Sequence, residues 1–186
     1  MRDEREMKWK TLASVRLVDR PWLKARRDTV QLPGGRVYDE YYVLSYPAWI
    51  NVIAETEEGQ IVLERQYRHG LGVVSTEICA GVVEAGETPL QAARRELEEE
   101  TGYKVASPDE LEFLIRIDTM VAFGDEEIDI FVARNLIKSE QHLDEDESID
   151  VEEWALEDLV DLIYKGELKD SKTVAAIIAY KSKYNL

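Results

Sequence analysis

Three glutamates, Glu96, Glu99 and Glu100, fall within five consecutive residues. On a helix, residues three and four apart share a face, so these carboxylates would project together as one patch. Like charges at that spacing destabilise a helix unless something positive lies between them. Arg94 and Arg95 offset part of the charge, Arg95 at i+4 to Glu99, and leave an excess of negative charge. Oxygen donors at this density favour a hard divalent cation, Mg2+ with Mn2+ as the alternative, over zinc, which calls for His or Cys ligands. A cation so held neutralises charge on phosphate oxygens and lowers the pKa of a bound water, which is the chemistry of phosphoanhydride cleavage. The competing reading of the run alone is a solvated acidic helix face.

The helix that must carry this patch is marked at both ends. Thr88 can cap it, Pro89 suits its first turn and Gly102 suits its end, which predicts a helix over 89–101. Leu90, Ala93, Leu97 and Thr101 recur at helical spacing as its core stripe. A short extended segment at 77–83 leads into it. Before that, 48–55 and 60–67 form a hairpin through the turn Glu57-Glu58-Gly59. After it come strands at 111–119 and 127–133, separated by a loop at 120–126, then helices at 155–164 and 171–184. Upstream, 13–18, 22–32 and 36–45 read as an antiparallel meander with Pro33-Gly34-Gly35 as one turn, and Pro47 punctuates the chain. These elements predict an α/β fold, a mixed-sheet sandwich over 47–186 preceded by a β-meander extension over 1–46.

Composition bounds the partners. With 186 residues, 45% hydrophobic and 33% charged, the chain can bury a core. Its apolar stretches, such as 174–180, fall short of the ~20 residues that cross a bilayer, and the N-terminus is charged from Arg2 onward without an apolar signal core. We therefore expect a cytoplasmic protein with no membrane partner. Thirty-nine acidic against 23 basic residues give a formal charge of -16, which argues against nucleic-acid polymers. Part of that excess, Glu140, Asp144, Glu145, Asp146, Glu147, Asp150, Glu152 and Glu153, reads as a solvated loop and helix start. The single cysteine, Cys79, reads as a small buried hydrophobe.

Gly81, Glu87, Arg95-Glu96, Glu99-Glu100 and Gly102 stand at fixed spacings, with apolar Leu97 between the acidic pairs and Tyr103 in the last, normally aliphatic, position. This 23-residue segment resembles the Nudix box. Gln66-Tyr67-Arg68, Glu77-Ile78-Cys79-Ala80-Gly81 and Ala92-Ala93-Arg94-Arg95-Glu96-Leu97 are similar to the ADP-ribose pyrophosphatase and nucleoside diphosphate-sugar hydrolase branch of that superfamily, which usually has Pro where Cys79 stands. The resemblance implies a Nudix-type α/β/α sandwich and a meander that helps build a homodimer. It also implies Mg2+-dependent hydrolysis of the pyrophosphate bond in a nucleoside diphosphate linked to another moiety. ADP-ribose or a related nucleotide sugar comes first, split to a nucleoside monophosphate and a sugar phosphate.

Carried over by position, Glu96 and Glu100 would be metal ligands, Glu99 a further ligand or catalytic water-orienting group, and the Ala80 carbonyl a backbone ligand. Arg68 and Glu77 would bind substrate; Gly81, Glu87, Arg95 and Gly102 would support the box; Glu98 would simply be exposed. A second catalytic carboxylate is expected before the strand ending Phe131-Val132-Ala133, which points to Glu126, with Asp125 and Glu127 as its neighbours. The loop at 118–124 lacks the branch's usual proline, which admits GDP-sugars, other nucleoside diphosphate derivatives and dinucleotides as substrates, with Phe123, Trp49 or Tyr46 available to stack on a base. Rival readings are a catalytically silent Nudix-fold nucleotide sensor and an acidic interaction module.

Overall fold

The run Trp-Ile-Asn-Val-Ile-Ala at 49–54, apolar except for Asn51, is the pattern of a strand covered on both faces. In the computed structural model it is central to the main sheet. Residues 3–145 and 147–186 are described, so Arg2 and Asp146 lie outside the described residues. The strands are β1 Lys10–Arg20, β2 Leu23–Gln31, β3 Val37–Ser45, β4 Trp49–Glu55, β5 Gln60–Arg68, β6 Val73–Glu77, β7 Cys79–Val82 and β8 Tyr103–Val105. They continue as β9 Leu111–Asp118, β10 Glu127–Ala133, β11 Leu136–Lys138 and β12 Ile149–Ala155; the helices are α1 Pro89–Thr101, α2 Leu156–Lys165 and α3 Ser171–Tyr184. Contacts divide the chain into two units, Met1–Pro47 with Asp118–Glu126, and Ala48–Ile117 with Glu127–Leu186.

In the second unit the sheet order is β12-β5-β4-β10-β9, with β6 joined to β5 and β7 to β4. β10 runs parallel to β4, and β5 and β7 run antiparallel to it, so the sheet is mixed. Alternation sorts the side chains into two layers. Ile50, Val52 and Ala54 of β4 pack with Val62, Phe131 and Ala133 against Ala92, Ala93 and Leu97 of α1. Ile53 packs with Ile61, Leu63, Ile130 and Val132 on the opposite face against Leu159 of α2 and Ile177 and Tyr180 of α3. The result is the expected α/β/α sandwich.

Helix α1 forms where its signals place it. Thr88 and Gln91 make a reciprocal capping box, and Gly102 ends the helix at φ 68°, a left-handed conformation that glycine adopts without strain. Its buried residues are Ala92, Ala93, Leu97, Thr101 and also Glu100. An acid therefore occupies the core-facing stripe.

Two expectations need correction. The extended segment at 77–83 is two strands: Glu77 pairs with Glu64 of β5, Cys79 pairs with Val52 of β4, and the chain changes partner at the buried Ile78. The Ile78 N–H, lost to both ladders, is satisfied by Thr173 Oγ1 of α3 at 3.0 Å. The acidic run does not open a helix; its last part is β12, an edge strand antiparallel to β5. Charged side chains are tolerated there because an edge strand keeps a face in water. The short pair β8 and β11 has no counterpart in the sequence reading.

In the first unit, β1, β2 and β3 form an antiparallel sheet. The segment at 118–126 lies along β3: the Leu44 N–H donates to Phe123 O at 2.7 Å and the Asp125 N–H to Leu44 O at 3.2 Å. The loop at 120–126, read from sequence as a link within the second domain, is thus held by the meander.

Candidate active site

Glu96 and Glu100 of the acidic face of α1 are covered on the side of β7, whereas Glu99 stays open to water. Glu100 is only 6% exposed, and its Oε2 accepts from the Ala80 N–H at 3.1 Å. Burial pushes the Glu100 carboxyl up to about 7; the Ala80 N–H acts the other way, and the charges of Glu96 and Glu147 add to the rise. Burial likewise lifts Glu96 to about 7, against the pull of Arg95 and with help from Glu99 and Glu147. Gly81 makes room for this carboxylate. A Cβ at that position would stand 2.0 Å from the Glu96 Cδ, so any side chain there displaces it.

Arg95 ties the group together. Its Nε and Nη2 grip the two oxygens of Glu87 at 2.9 and 3.0 Å, and Nη2 also donates to the Val82 carbonyl at 3.1 Å. Its Nη1 meets Glu96 at 2.8 Å and Glu99 at 3.1 Å. One guanidinium thus braces the loop before α1 and partly neutralises two of the three acids on its face. Glu98, expected to be plainly exposed, instead accepts from Lys104 Nζ at 3.1 Å and from Ser139 Oγ at 2.6 Å.

Arg68 and Glu77, both expected at the substrate, face one another. Arg68 Nε and Nη2 each donate to Glu77 at 2.9 Å, a bidentate pair with Glu77 buried and Arg68 partly open. Beside Glu77 on β5 is Glu64, 4% exposed, which the sequence reading passed over. Its signal was an acid directly after the apolar Ile61-Val62-Leu63. Burial holds its carboxyl well above the usual range, and Glu100 and Glu77 push the same way. Donor atoms of Glu64, Cys79 and Glu100 lie within 4.8 Å of one another.

Glu147 was also missed, submerged in the acidic run. The segment carrying it wraps the C-terminal end of α1: the Ser139 N–H donates to Gly102 O at 2.7 Å, Gln141 Nε2 to Glu100 O at 2.5 Å and the His142 N–H to Glu99 O at 2.9 Å. These bonds satisfy the last carbonyls of the helix and bring the Glu147 charge to bear on Glu96 and Glu100.

The other expected acids have partners of their own. Within the first unit, Glu126 accepts from the Thr119 hydroxyl, and Asp125 accepts from Ser45 Oγ at 2.8 Å and the Tyr46 N–H at 3.2 Å. Within the second, Glu127 pairs with Arg116 at 3.5 Å. Trp49 packs against the core on the α2 and α3 side, whereas Phe123 is exposed.

Two outcomes follow from the buried carboxyls. In the ion-free protein Glu96 and Glu100 keep protons up to about pH 7, whereas in the unfolded chain they release them near the ordinary 4.5. The unfolded state then binds fewer protons, so stability should fall as pH rises from about 4.5 to about 7. A divalent cation, which binds the ionised forms, should oppose that fall. Melting temperatures across this window with EDTA and with Mg2+ test it, and a profile that is flat in EDTA contradicts it. Gly81→Ala should push the Glu96 carboxylate aside and weaken Mg2+ binding by about 10–100-fold, read by calorimetric titration.

With this geometry in hand, comparisons with known proteins are informative. Residues 46–177 match the NUDIX domain, and residues 9–44 match the nucleoside diphosphate sugar hydrolase N-terminal domain. The chain is 39% identical over 177 residues to the methanol dehydrogenase activator of Bacillus methanolicus, covering 94% of this chain and 91% of that one. It is 35% identical over 170 residues to an ADP-ribose pyrophosphatase of Bacillus subtilis (strain 168), covering 90% of each. A crystal structure of an ADP compounds hydrolase shares the fold with a TM-score of 0.82 at 21% identity, over 96% of this chain and 95% of that one. The acidic helix face, the glycine that admits Glu96 and the match over 46–177 agree: the chain belongs to the Nudix hydrolase family, in its ADP-ribose pyrophosphatase-like part.

Proposed function

We propose that this protein hydrolyses the pyrophosphate bond of ADP-ribose or a related nucleotide sugar with Mg2+, or Mn2+ in its place, giving a nucleoside monophosphate and a sugar phosphate. The observation that carries this reading is a helix face on which Glu100 is buried, Glu96 largely covered and Glu99 open, with more negative charge than Arg95 neutralises. Such oxygen donors fit a hard divalent cation, and Glu96, Glu99, Glu100 and the Ala80 carbonyl would hold it. When bound, the cation would neutralise charge on the diphosphate and acidify a water. Glu77 takes the Nε and Nη2 edge of Arg68 and so presents the rest of the guanidinium to a phosphate oxygen.

For the general base we favour Glu147 over Glu126. The charge of Glu147 acts on Glu96 and Glu100, and Glu126 is engaged by the Thr119 hydroxyl. A second reading has one observation behind it, namely that the Bacillus methanolicus relative is named as an activator of another enzyme. Under that reading the box would serve a regulatory partner.

A panel of ADP-ribose, ADP-glucose, GDP-mannose, NADH, diadenosine polyphosphates and 8-oxo-dGTP, with Mg2+ and product identification, tests the substrate class. ADP-ribose or a nucleotide sugar should be cleaved fastest. Glu100→Gln should abolish turnover, and Glu147→Gln should lower kcat by about 10²–10⁴-fold while Glu126→Gln does far less. Full activity in both Glu100→Gln and Glu147→Gln overturns the assignment, and binding of a nucleotide without hydrolysis favours the activator.

We also propose a homodimer built through the first unit. β1 is exposed along nearly all of its length, and its Leu12, Val15 and Leu17, with Trp9 and Trp22 just beyond its two ends, are between 46% and 71% exposed. Light scattering should give twice the mass of the 21.4 kDa chain. A monomeric mass removes this proposal. Among the described residues no helix is long and apolar enough to cross a membrane. We propose a cytoplasmic location, with which a single free cysteine agrees.

A further inference from the structure

Glu64 on β5, Cys79 on β7 and Glu100 on α1 come from three separate elements and meet in the layer between sheet and helix. They are 4%, 1% and 6% exposed, and one donor atom of each lies within 4.8 Å of the others. A divalent ion held at about 2.0–2.3 Å by oxygen and sulfur donors needs them roughly 3–4.5 Å apart, so small side-chain adjustments bring all three onto one ion.

A second observation, independent of this clustering, asks for a ligand. Glu64 Oε1 is buried and has no hydrogen-bond partner among the described residues. A buried acceptor left without a partner is destabilising, and more so when charged. Arg68, a nearby cation, gives two nitrogens to Glu77 at 2.9 Å each, and among the described residues no basic side chain forms an ion pair with Glu64 or Glu100. An apolar residue at position 64, continuing Ile61-Val62-Leu63, would avoid the cost altogether.

We propose that Glu64, Cys79 and Glu100 form a thiolate-containing cation site, distinct from the Mg2+ site on the box face and sharing Glu100 with it, that selects a borderline divalent ion such as zinc over magnesium. On binding, the ion forms a bond to Cys79 Sγ and the thiol proton leaves to solvent; no electron is transferred. Sulfur sets the selectivity, because Mg2+ takes oxygen ligands and avoids thiolate whereas zinc and cobalt accept it. In the ion-free protein the Cys79 thiol hydrogen-bonds the Glu100 carboxylate and Glu64 shares a hydrogen bond with Glu100; the bound ion would take the place of both contacts and supply the partner that Glu64 Oε1 lacks. The site does not depend on which nucleotide is cleaved, and its failure would leave the hydrolase reading standing.

Cobalt reports on this site without any enzymatic readout. The metal-free full-length protein, titrated with Co2+ in Mg2+-free buffer, should develop a near-ultraviolet sulfur-to-cobalt charge-transfer band that saturates and is then displaced by Zn2+ but not by the same concentration of Mg2+. Cys79→Ala should abolish the band, and Glu64→Gln should weaken Co2+ binding by at least about tenfold. Circular dichroism checks that both variants are folded. The proposal is overturned if the wild-type protein shows no such band, if the band survives Cys79→Ala, or if Glu64→Gln binds Co2+ with full affinity. The wild-type titration decides by itself, so a variant that does not fold leaves the test intact.

Discussion

The site depends on an acidic helix end being pressed against a sheet edge instead of facing water. Glu100 occupies a core position of α1 beside Leu97 and Thr101, and the residues around it accommodate that one burial. The Ala80 N–H supplies a donor, Gly81 withholds a side chain so that Glu96 fits alongside, and Arg95 supplies positive charge. The helix itself works against the arrangement. Glu98, Glu99 and Glu100 lie in its last turn, at the negative end of the helix dipole, with no basic residue in that turn. An isolated helix of this sequence would fray there. Its persistence comes from tertiary partners, and a bound cation would reverse the sign of the remaining electrostatic cost.

The chain past β11 is one of those partners. Ser139, Gln141 and His142 donate to carbonyls at the end of α1, which otherwise have no acceptor role inside the helix. Closing the helix and placing Glu147 are therefore one structural act. The chain folds back as β12, and Tyr103 at the start of β8 hydrogen-bonds Glu153 at 2.5 Å, which ties the residue ending the box to the edge strand. Burial raises Tyr103 to about 12, with Glu153 adding to the effect. The aromatic residue at the box's final position is thus accounted for by a polar contact that an aliphatic one could not make.

Much of this was legible in the sequence because it rests on local rules. Thr88, Pro89 and Gly102 delimit α1 by capping chemistry that needs no tertiary information. Strands β4 and β5 show as apolar runs around a glycine turn, and the spacing of Glu96, Glu99 and Glu100 declares a shared face. The features that escaped are those decided by distant partners. Ile78 separates two strands only because β5 and β4 stand on either side of it and Thr173 can take its N–H. β12 reads as loop because its acids face water from a sheet edge, where strand propensity is a weak guide. Glu64 looks like an ordinary strand-end acid until Glu100 is brought against it from 36 residues away.

The charge of the assembled site also sets an order of events. Among the described residues, Glu64, Glu77, Glu87, Glu96, Glu99 and Glu100 have Arg68 and Arg95 as their close cations, and both arginines are already engaged by acids. A diphosphate approaching this group meets net negative charge at short range, in surroundings where burial weakens screening. In the proposed reaction cation binding would remove that repulsion, so substrate affinity and cation affinity would be linked, each strengthening the other by the same factor. In the proposed reaction Arg68 would be the exception that makes approach possible. It is held in one orientation by Glu77 and stands partly open, so it can receive a phosphate oxygen while the carboxylates keep to the cation.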